Sequence, residues 1–264
     1  MKLCAVIWTQ KSRFLDLEFC IERWINILKS IDIKTYIAIE NSFNFKKLSS
    51  DHKDLDFIKF SKKRWKSEWL EVLEQLKKKS YTHLFSIIDD FYVFNTDYRI
   101  LKQTLNLKNL RKIDYLNLNY HPDQIHQNGS KTFKIFDIVP INSDYRSSVQ
   151  FSFWKIDYMK KMILKASGFW SLENTSCLHT IHYCLKKPAI RYRHIIEKNK
   201  WNYNIFRLPL KNLIKIFSKS KIKYNFSQFK IIHRILISNF FIYFFGLNKW
   251  KKTKTIIHKY FRIA

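Results

Sequence analysis

The chain has 264 residues, 46% of them hydrophobic and 17% aromatic, a composition that excludes a disordered protein and suffices for one sizeable core, alone or with an appendage. Lys and Arg number 49 against 21 Asp and Glu, a net charge of +28, which calls for an anionic partner: nucleic acid, a phosphorylated substrate or anionic lipid. The 3 glycines, Gly129, Gly168 and Gly246, are too few for a P-loop or a GxGxxG dinucleotide fingerprint, so any phosphate must be held by other means.

In chain order, MKLCAVIWTQKSR has an apolar run too short for a signal peptide, and Cys4, Cys20, Cys177 and Cys184 do not form a disulfide framework. A reducing cytoplasm is therefore expected. KLCAVIW (2–8) reads as a buried strand, and 14–30 has helical periodicity. IKTYIAIE (33–40) and DFIKF (56–60) are strand-like. Residues 65–80 place Trp65, Trp69, Val72, Leu73 and Leu76 on one helical stripe, and THLFSIID (82–89) is again a strand. A helix opened by Thr96 or Asp97 and a strand at DYLNLNY (114–120) follow. Strands alternating with helices imply an α/β, Rossmann-like, mainly parallel sheet flanked by helices, which binds ligands beyond the carboxyl ends of its strands.

Three constellations carry chemistry. In LFSIIDDFYVF (84–94), Asp89 and Asp90 end an apolar run. They are either the polar stop of a buried strand or a site for a divalent ion that bridges a diphosphate. Because strand neighbours face opposite ways, the two carboxylates should differ in role. In DYRSSVQFSFWKIDYMKKMI (144–163), Arg146, Ser148 and Gln150 would form the polar face of a strand, with Asp157 capping the helix after it. Arg146 is either a surface arginine or a bidentate phosphate ligand. In SGFWSLEN (167–174), Trp170 offers a face to a pyranose ring and Glu173 a carboxylate able to take a proton from a hydroxyl. The alternative is a capping box opening a helix at Ser171.

CLHTIHYC (177–184) lacks the ligand spacings of a zinc finger or ribbon. Small buried cysteines on a core-facing helix explain it better, with His182 as a core residue in preference to a metal ligand.

Taken together, THLFSIIDDFYVF, YRSSVQFSFWKIDYM and GFWSLEN resemble, in order and rough spacing, the LDDF, YRxSLQxxIW and PWxFE blocks of a bacterial glycosyltransferase family with the GT-A fold. Its members belong to loci for O-antigen, capsule and lipopolysaccharide. AIRYRHIIEKNKW (189–201) resembles its closing segment, so the likeness spans about residues 1–208. It implies a GT-A-like catalytic domain and a nucleotide-sugar donor, with Asp89 and Asp90 in the place of the metal and diphosphate motif; Arg146 and Gln150, from the polar face read above, are expected to bind the same donor. It also implies a divalent metal (Mn²⁺ or Mg²⁺) at Asp90 and Asp89, Glu173 as the catalytic base, and Trp170 on the acceptor side; an isolated Glu173 points in turn to an inverting transfer. The acceptor would be a lipid-linked or lipopolysaccharide glycan. Gly168-Phe169 stands where the family tends to have proline before the tryptophan, and Leu172 replaces an aromatic.

Residues 209–264 differ from the rest, with 13 Lys or Arg, no Asp or Glu, and interleaved Phe, Tyr, Ile and Leu. The most apolar stretch, ILISNFFIYFFGL (235–247), has 13 residues, well short of the roughly 20 of a spanning helix. This segment is expected to be a basic helical C-terminal extension. It would lie on an anionic leaflet and make the protein peripheral on the inner face of the bacterial cytoplasmic membrane; the alternative is a solvated basic cap. A rival class, a nucleic-acid-binding protein or metal-dependent nuclease, shares the charge and the acidic pair. It lacks any helix-turn-helix, RNP or zinc-finger signature, so no nucleic-acid partner is expected.

Overall fold

A computed structural model of the chain describes residues 1–9, 18–42, 55–61, 64–119, 134–143, 146–169, 171–174, 180–197, 200–201, 212–213 and 216. The chain divides into two compact units, Met1–His194 and Ile195–Ala264.

The first unit is built on an eight-stranded sheet: β1 (Leu3–Trp8), β2 (Thr35–Glu40), β3 (Asp56–Phe60), β4 (His83–Ile88), β6 (Tyr115–Asn117), β7 (Phe136–Val139), β8 (Ser152–Lys155) and β9 (His182–Leu185). Their order is β3-β2-β1-β4-β8-β6-β9-β7. The ladders β1–β2, β2–β3, β1–β4 and β6–β9 are parallel, and only β8 and β7 run against their neighbours. Three α-helices pack the faces: α1 (Glu18–Lys29), α2 (Trp65–Lys78) and α4 (Ile156–Lys165). This is an α/β fold with a mainly parallel sheet flanked by helices.

Alternation along each strand sorts the core into two layers. Ala5, Ile7, Ile37, Ile39, Phe85, Ile87 and Phe153 join Trp24, Ile27 and Leu28 of α1. Cys4, Val6, Trp8, Ala38, Leu84 and Trp154 join Trp69, Val72 and Leu76 of α2 and Met159, Met162 and Ile163 of α4. The tryptophan stripe of α2 continues into Trp8, whose ring lies flat on that of Trp69 at 3.8 Å. The α2 helix ends in a Schellman motif: Ser80, at φ 65, donates to the Lys77 carbonyl and Tyr81 to that of Leu76.

After β4 the chain turns at Asp89-Asp90 into β5 (Phe91–Thr96), which leaves the main sheet to pair antiparallel with β10 (Ile190–His194). Asp97 then caps α3 (Tyr98–Leu105), accepting from the backbone of Arg99 and Ile100. In the second unit, β11 (Ile196–Glu197) pairs antiparallel with β12 (Lys200–Trp201). Nearly all of the 209–264 extension lies outside the described residues.

Three local expectations are corrected. The strand expected at 144–150 is absent from the described part, 146–150, where the chain is irregular; it passes through Phe151 at φ 45 before β8 begins at Ser152. Ser148 and Ser152 side chains there bond nearby backbone and compete with a ladder. Asp157 does not cap α4; Lys155 holds that position, and Asp157 sits in the first turn and pairs with Lys77 of α2 at 2.8 Å. The helix expected over CLHTIHYC is strand β9 from His182 onward, because the buried His182 and Cys184 alternate with the partly exposed Tyr183; Cys177 and His179 lie outside the described residues.

Candidate active site

The strand order reverses between β1 and β4, running 3-2-1 on one side and onward from 4 on the other. Beyond the carboxyl ends of two parallel strands that part in this way, the backbone leaves a crevice. There a cleft of about 480 Å³ opens, lined by Trp8 and Thr9 at the end of β1, by Ile88, Asp90 and Phe91 at and beyond the end of β4, and by His194 at the end of β10. Val149, Gln150 and Glu173 line it as well, together with Phe60, Glu68 and the aromatic group of Trp65, Trp69 and Phe169. This volume suits a small organic ligand, and the mix of aromatic walls with a few polar groups is that of a binding site.

The two aspartates do different jobs. Asp89 is fully buried, and its carboxylate accepts from the Thr9 hydroxyl at 2.5 Å, tying the ends of β1 and β4 together. Asp90 lines the cleft, with one carboxylate oxygen 3.1 Å from His194 Nε2. That contact follows from the β5–β10 ladder, which sets His194 opposite Phe91, the residue after Asp90.

The 146–150 loop stitches the remaining parts together. Ser147 donates its amide to the Glu173 carbonyl at 3.2 Å and its hydroxyl to the Leu172 carbonyl at 2.8 Å, fixing the short helix α5 (Ser171–Asn174). Gln150 is buried, and its Oε1 accepts from the Ile88 amide at 2.7 Å. With the oxygen so committed, the amide Nε2 is the donor it offers to the cleft, and among the described residues that nitrogen has no partner. Burial raises the Glu173 carboxyl to about 7, against a smaller opposing effect of the Ser148 hydroxyl. A carboxyl poised there exchanges a proton near neutral pH.

Of the residues singled out from sequence, Asp90, Gln150 and Glu173 meet in this cleft, with Asp89 buried behind it. Arg146 is not among its lining residues: it is buried and donates from Nη2 to the Thr180 carbonyl at 2.7 Å. Trp170 lies outside the described residues. His182 is a core residue. Its Nδ1 contacts the Arg146 carbonyl at 3.1 Å, so that nitrogen carries the proton and Nε2 accepts from the Tyr158 hydroxyl at 2.6 Å. Among the described residues no three His, Cys, Asp or Glu side chains are grouped to hold a metal ion. His194 and the aromatic walls were not foreseen as site residues; Trp65 and Trp69 signalled only a helical stripe, and nothing local in AIRYRH marks its last residue.

No family model matches the chain, and no curated protein matches it. Solved structures overlap it loosely. UDP-glucose pyrophosphorylase complexed with UDP-glucose is 9% identical over 73% of this chain and 92% of that one, with a TM-score of 0.46. Mannose-1-phosphate geranyltransferase from Thermus thermophilus is 11% identical over 74% and 76%, with a TM-score of 0.45. S. aureus TarS 1–349 in complex with UDP-GlcNAc is 12% identical over 92% and 73%, with a TM-score of 0.44. Overlaps this loose carry no functional argument, which rests on the chain's own cleft.

Proposed function

We propose that the protein is a glycosyltransferase that moves a sugar from a nucleotide-sugar donor to a hydroxyl of a lipid-linked glycan or lipopolysaccharide acceptor, with inversion. The observation that supports this most is the meeting of Asp90, the Gln150 amide and a Glu173 carboxyl raised to about 7 in one cleft at the sheet's switch point.

In this reading Glu173 takes the proton of the acceptor hydroxyl as that oxygen attacks the anomeric carbon, while the Gln150 Nε2 donates to an oxygen of the donor. Apolar walls around Glu173 keep the base dry and raise its proton affinity. Asp90 is the carboxylate that would hold Mn²⁺ or Mg²⁺, with Asp89 and Thr9 fixing the turn behind it. One cleft carboxylate suits such an ion when phosphate oxygens and water complete its shell. When bound, the ion supplies charge stabilisation for the departing nucleoside diphosphate. Trp170 is assigned to the acceptor side.

The 13 basic and no acidic residues of 209–264 support peripheral attachment to an anionic membrane. No described helix is long and apolar enough to cross one.

The test is nucleoside diphosphate release from UDP-, GDP- and dTDP-sugars, and CMP release from CMP-sugars, with membrane-extracted lipid-linked glycans as acceptors. Release that depends on acceptor and is lost in Glu173→Gln is expected. Undiminished release in that variant removes Glu173 from the mechanism.

A further inference from the structure

Helices α2 and α4 run antiparallel beside the cleft, and their contacts fall in register. At one end Lys77 pairs with Asp157 at 2.8 Å, in the middle Glu74 pairs with Lys160, and at the other end the Lys66 ammonium donates to the Leu164 carbonyl at 3.3 Å. The start of α2 and the last turn of α4 are thereby held level. The same end of α2 gives Trp65, Glu68 and Trp69 to the cleft. Phe169, just beyond α4, sets its ring edge-on to both tryptophans, at 5.9 Å from Trp65 and 5.5 Å from Trp69.

This end of the helix pair is cationic and apolar at once. Lys161, Leu164 and Lys165, three and four residues apart, form one exposed stripe of α4. Leu164, at 56%, is the most exposed large apolar side chain among the described residues. The acidic side chains of both helices are engaged elsewhere: Asp157 with Lys77, Glu74 with Lys160, Glu71 accepting from the Ser61 amide at 3.1 Å, and Glu68 in the cleft. A single exposed leucine is ordinary on a protein surface. Set among lysines, with the half-buried rings of Trp65 and Phe169 alongside, it has the make-up of an interfacial segment. Lysine suits such a place, because its stem lies along apolar surface while its ammonium stays with phosphate and water. A nucleic acid would satisfy the lysines alone; an anionic bilayer also takes the leucine out of water.

We propose that the last turn of α4 and the start of α2 form a docking surface for an anionic lipid leaflet, with Leu164 entering the acyl boundary and Lys66, Lys161 and Lys165 on lipid phosphates. The surface uses none of the 209–264 extension. Three lysines and one leucine bind weakly by themselves, so the surface orients the catalytic unit once the basic extension holds the chain at the membrane. It turns the aromatic rim of the cleft, Trp65 and Phe169, towards the bilayer. The proposal deepens the transferase reading and rests on it only for what arrives there: the glycan of a lipid-linked acceptor reaches the cleft while its lipid stays in the leaflet.

The test places an NBD fluorophore on Leu164→Cys in the full chain, with vesicles of phosphatidylglycerol and phosphatidylcholine and no sugar donor. The reference is Tyr98→Cys, also exposed, on α3, whose Leu101 packs in the core layer opposite to that of α4. Cys4, Cys20 and Cys184 are buried, and label taken up by the parent chain is subtracted. A severalfold rise in emission is expected at position 164, quenched by lipids with doxyl groups on their acyl chains, and absent at position 98 and on pure phosphatidylcholine. Lys161→Gln with Lys165→Gln, both at exposed positions, should raise the lipid concentration for half-response by roughly tenfold or more. A chain that floats with the vesicles and shows no response at position 164 overturns the proposal, as do an equal response at position 98, an unmoved half-response in the double variant, or no binding at all. Because no donor is present, the result stands whether or not the chain transfers a sugar, and a transferase that fails here keeps its chemistry and loses this surface.

Discussion

Replacing Glu173 by Gln should make the protein more stable at alkaline pH while removing its activity. Burial raises the carboxyl from 4.5 to about 7, so between those values the native chain holds a proton that the unfolded chain has lost. Stability therefore falls as pH rises through this window, and above about pH 8 the native state carries the full cost of a charge in an apolar wall. A difference of about 2.5 units, at about 1.4 kcal/mol each, is roughly 3.5 kcal/mol, reduced to about 2 kcal/mol by residual solvent contact. The amide of Gln carries no charge at any pH and keeps the shape of the side chain. Urea unfolding of parent and variant at pH 4.5 and 8.5 reads the effect: a near-equal pair at the lower pH, and a variant more stable by about 2 kcal/mol at the higher. A variant whose advantage is the same at both pH values would refute the claim that the carboxylate, and not the packing, is what the fold tolerates at a cost.

Asp90→Asn keeps the shape of the turn but not its charge, and should lower transfer by about 100-fold or more without changing the unfolding midpoint appreciably; equal turnover in a direct comparison would exclude it from the donor site. His182, held neutral and lowered by burial to about 3, takes no proton in the native state while the unfolded chain does so below about 6.5. It therefore contributes stability that is complete above that pH and is lost on acidification towards 3, a slope that a His182→Gln variant should flatten in acid-unfolding curves. Ser80 sits at φ 65 at the end of α2, where glycine has no Cβ penalty, so Ser80→Gly should raise stability by about 0.5–1 kcal/mol in thermal or urea unfolding. A chain ending after Arg207 should lose flotation with anionic vesicles and keep nucleotide-sugar binding; unchanged flotation would rule out the basic segment as the anchor.

Periodicity made the first half of the fold legible. The alternation of 2–8, 33–40 and 82–89 and the stripe from Trp65 to Leu76 are local signals, and the elements formed there because both faces of β1 and β4 are apolar. The 144–150 segment misled because its polar side chains have another use: Ser147 bonds the chain of α5 and Gln150 that of β4, contacts that only tertiary placement reveals. His182 read as part of a helix because a spacing within eight residues says nothing of the sheet neighbours it acquires. Asp89 and Asp90 were visible as a pair, but their division of labour depends on Thr9 from β1 and His194 from β10, each brought there by pairing between distant segments. Arg146 looked like a phosphate ligand by residue type; its burial against Thr180 could not be read from spacing.

The most direct measurement is a thermal-shift screen of the full chain against UDP-, GDP-, CMP- and dTDP-sugars, with and without Mn²⁺, repeated on Asp90→Asn and Glu173→Gln. The account predicts stabilisation by at least one nucleotide-sugar, weakened in Asp90→Asn and retained in Glu173→Gln, since in the proposed mechanism Asp90 holds the donor and Glu173 serves the acceptor. No shift with any of these donors would contradict the account at its centre.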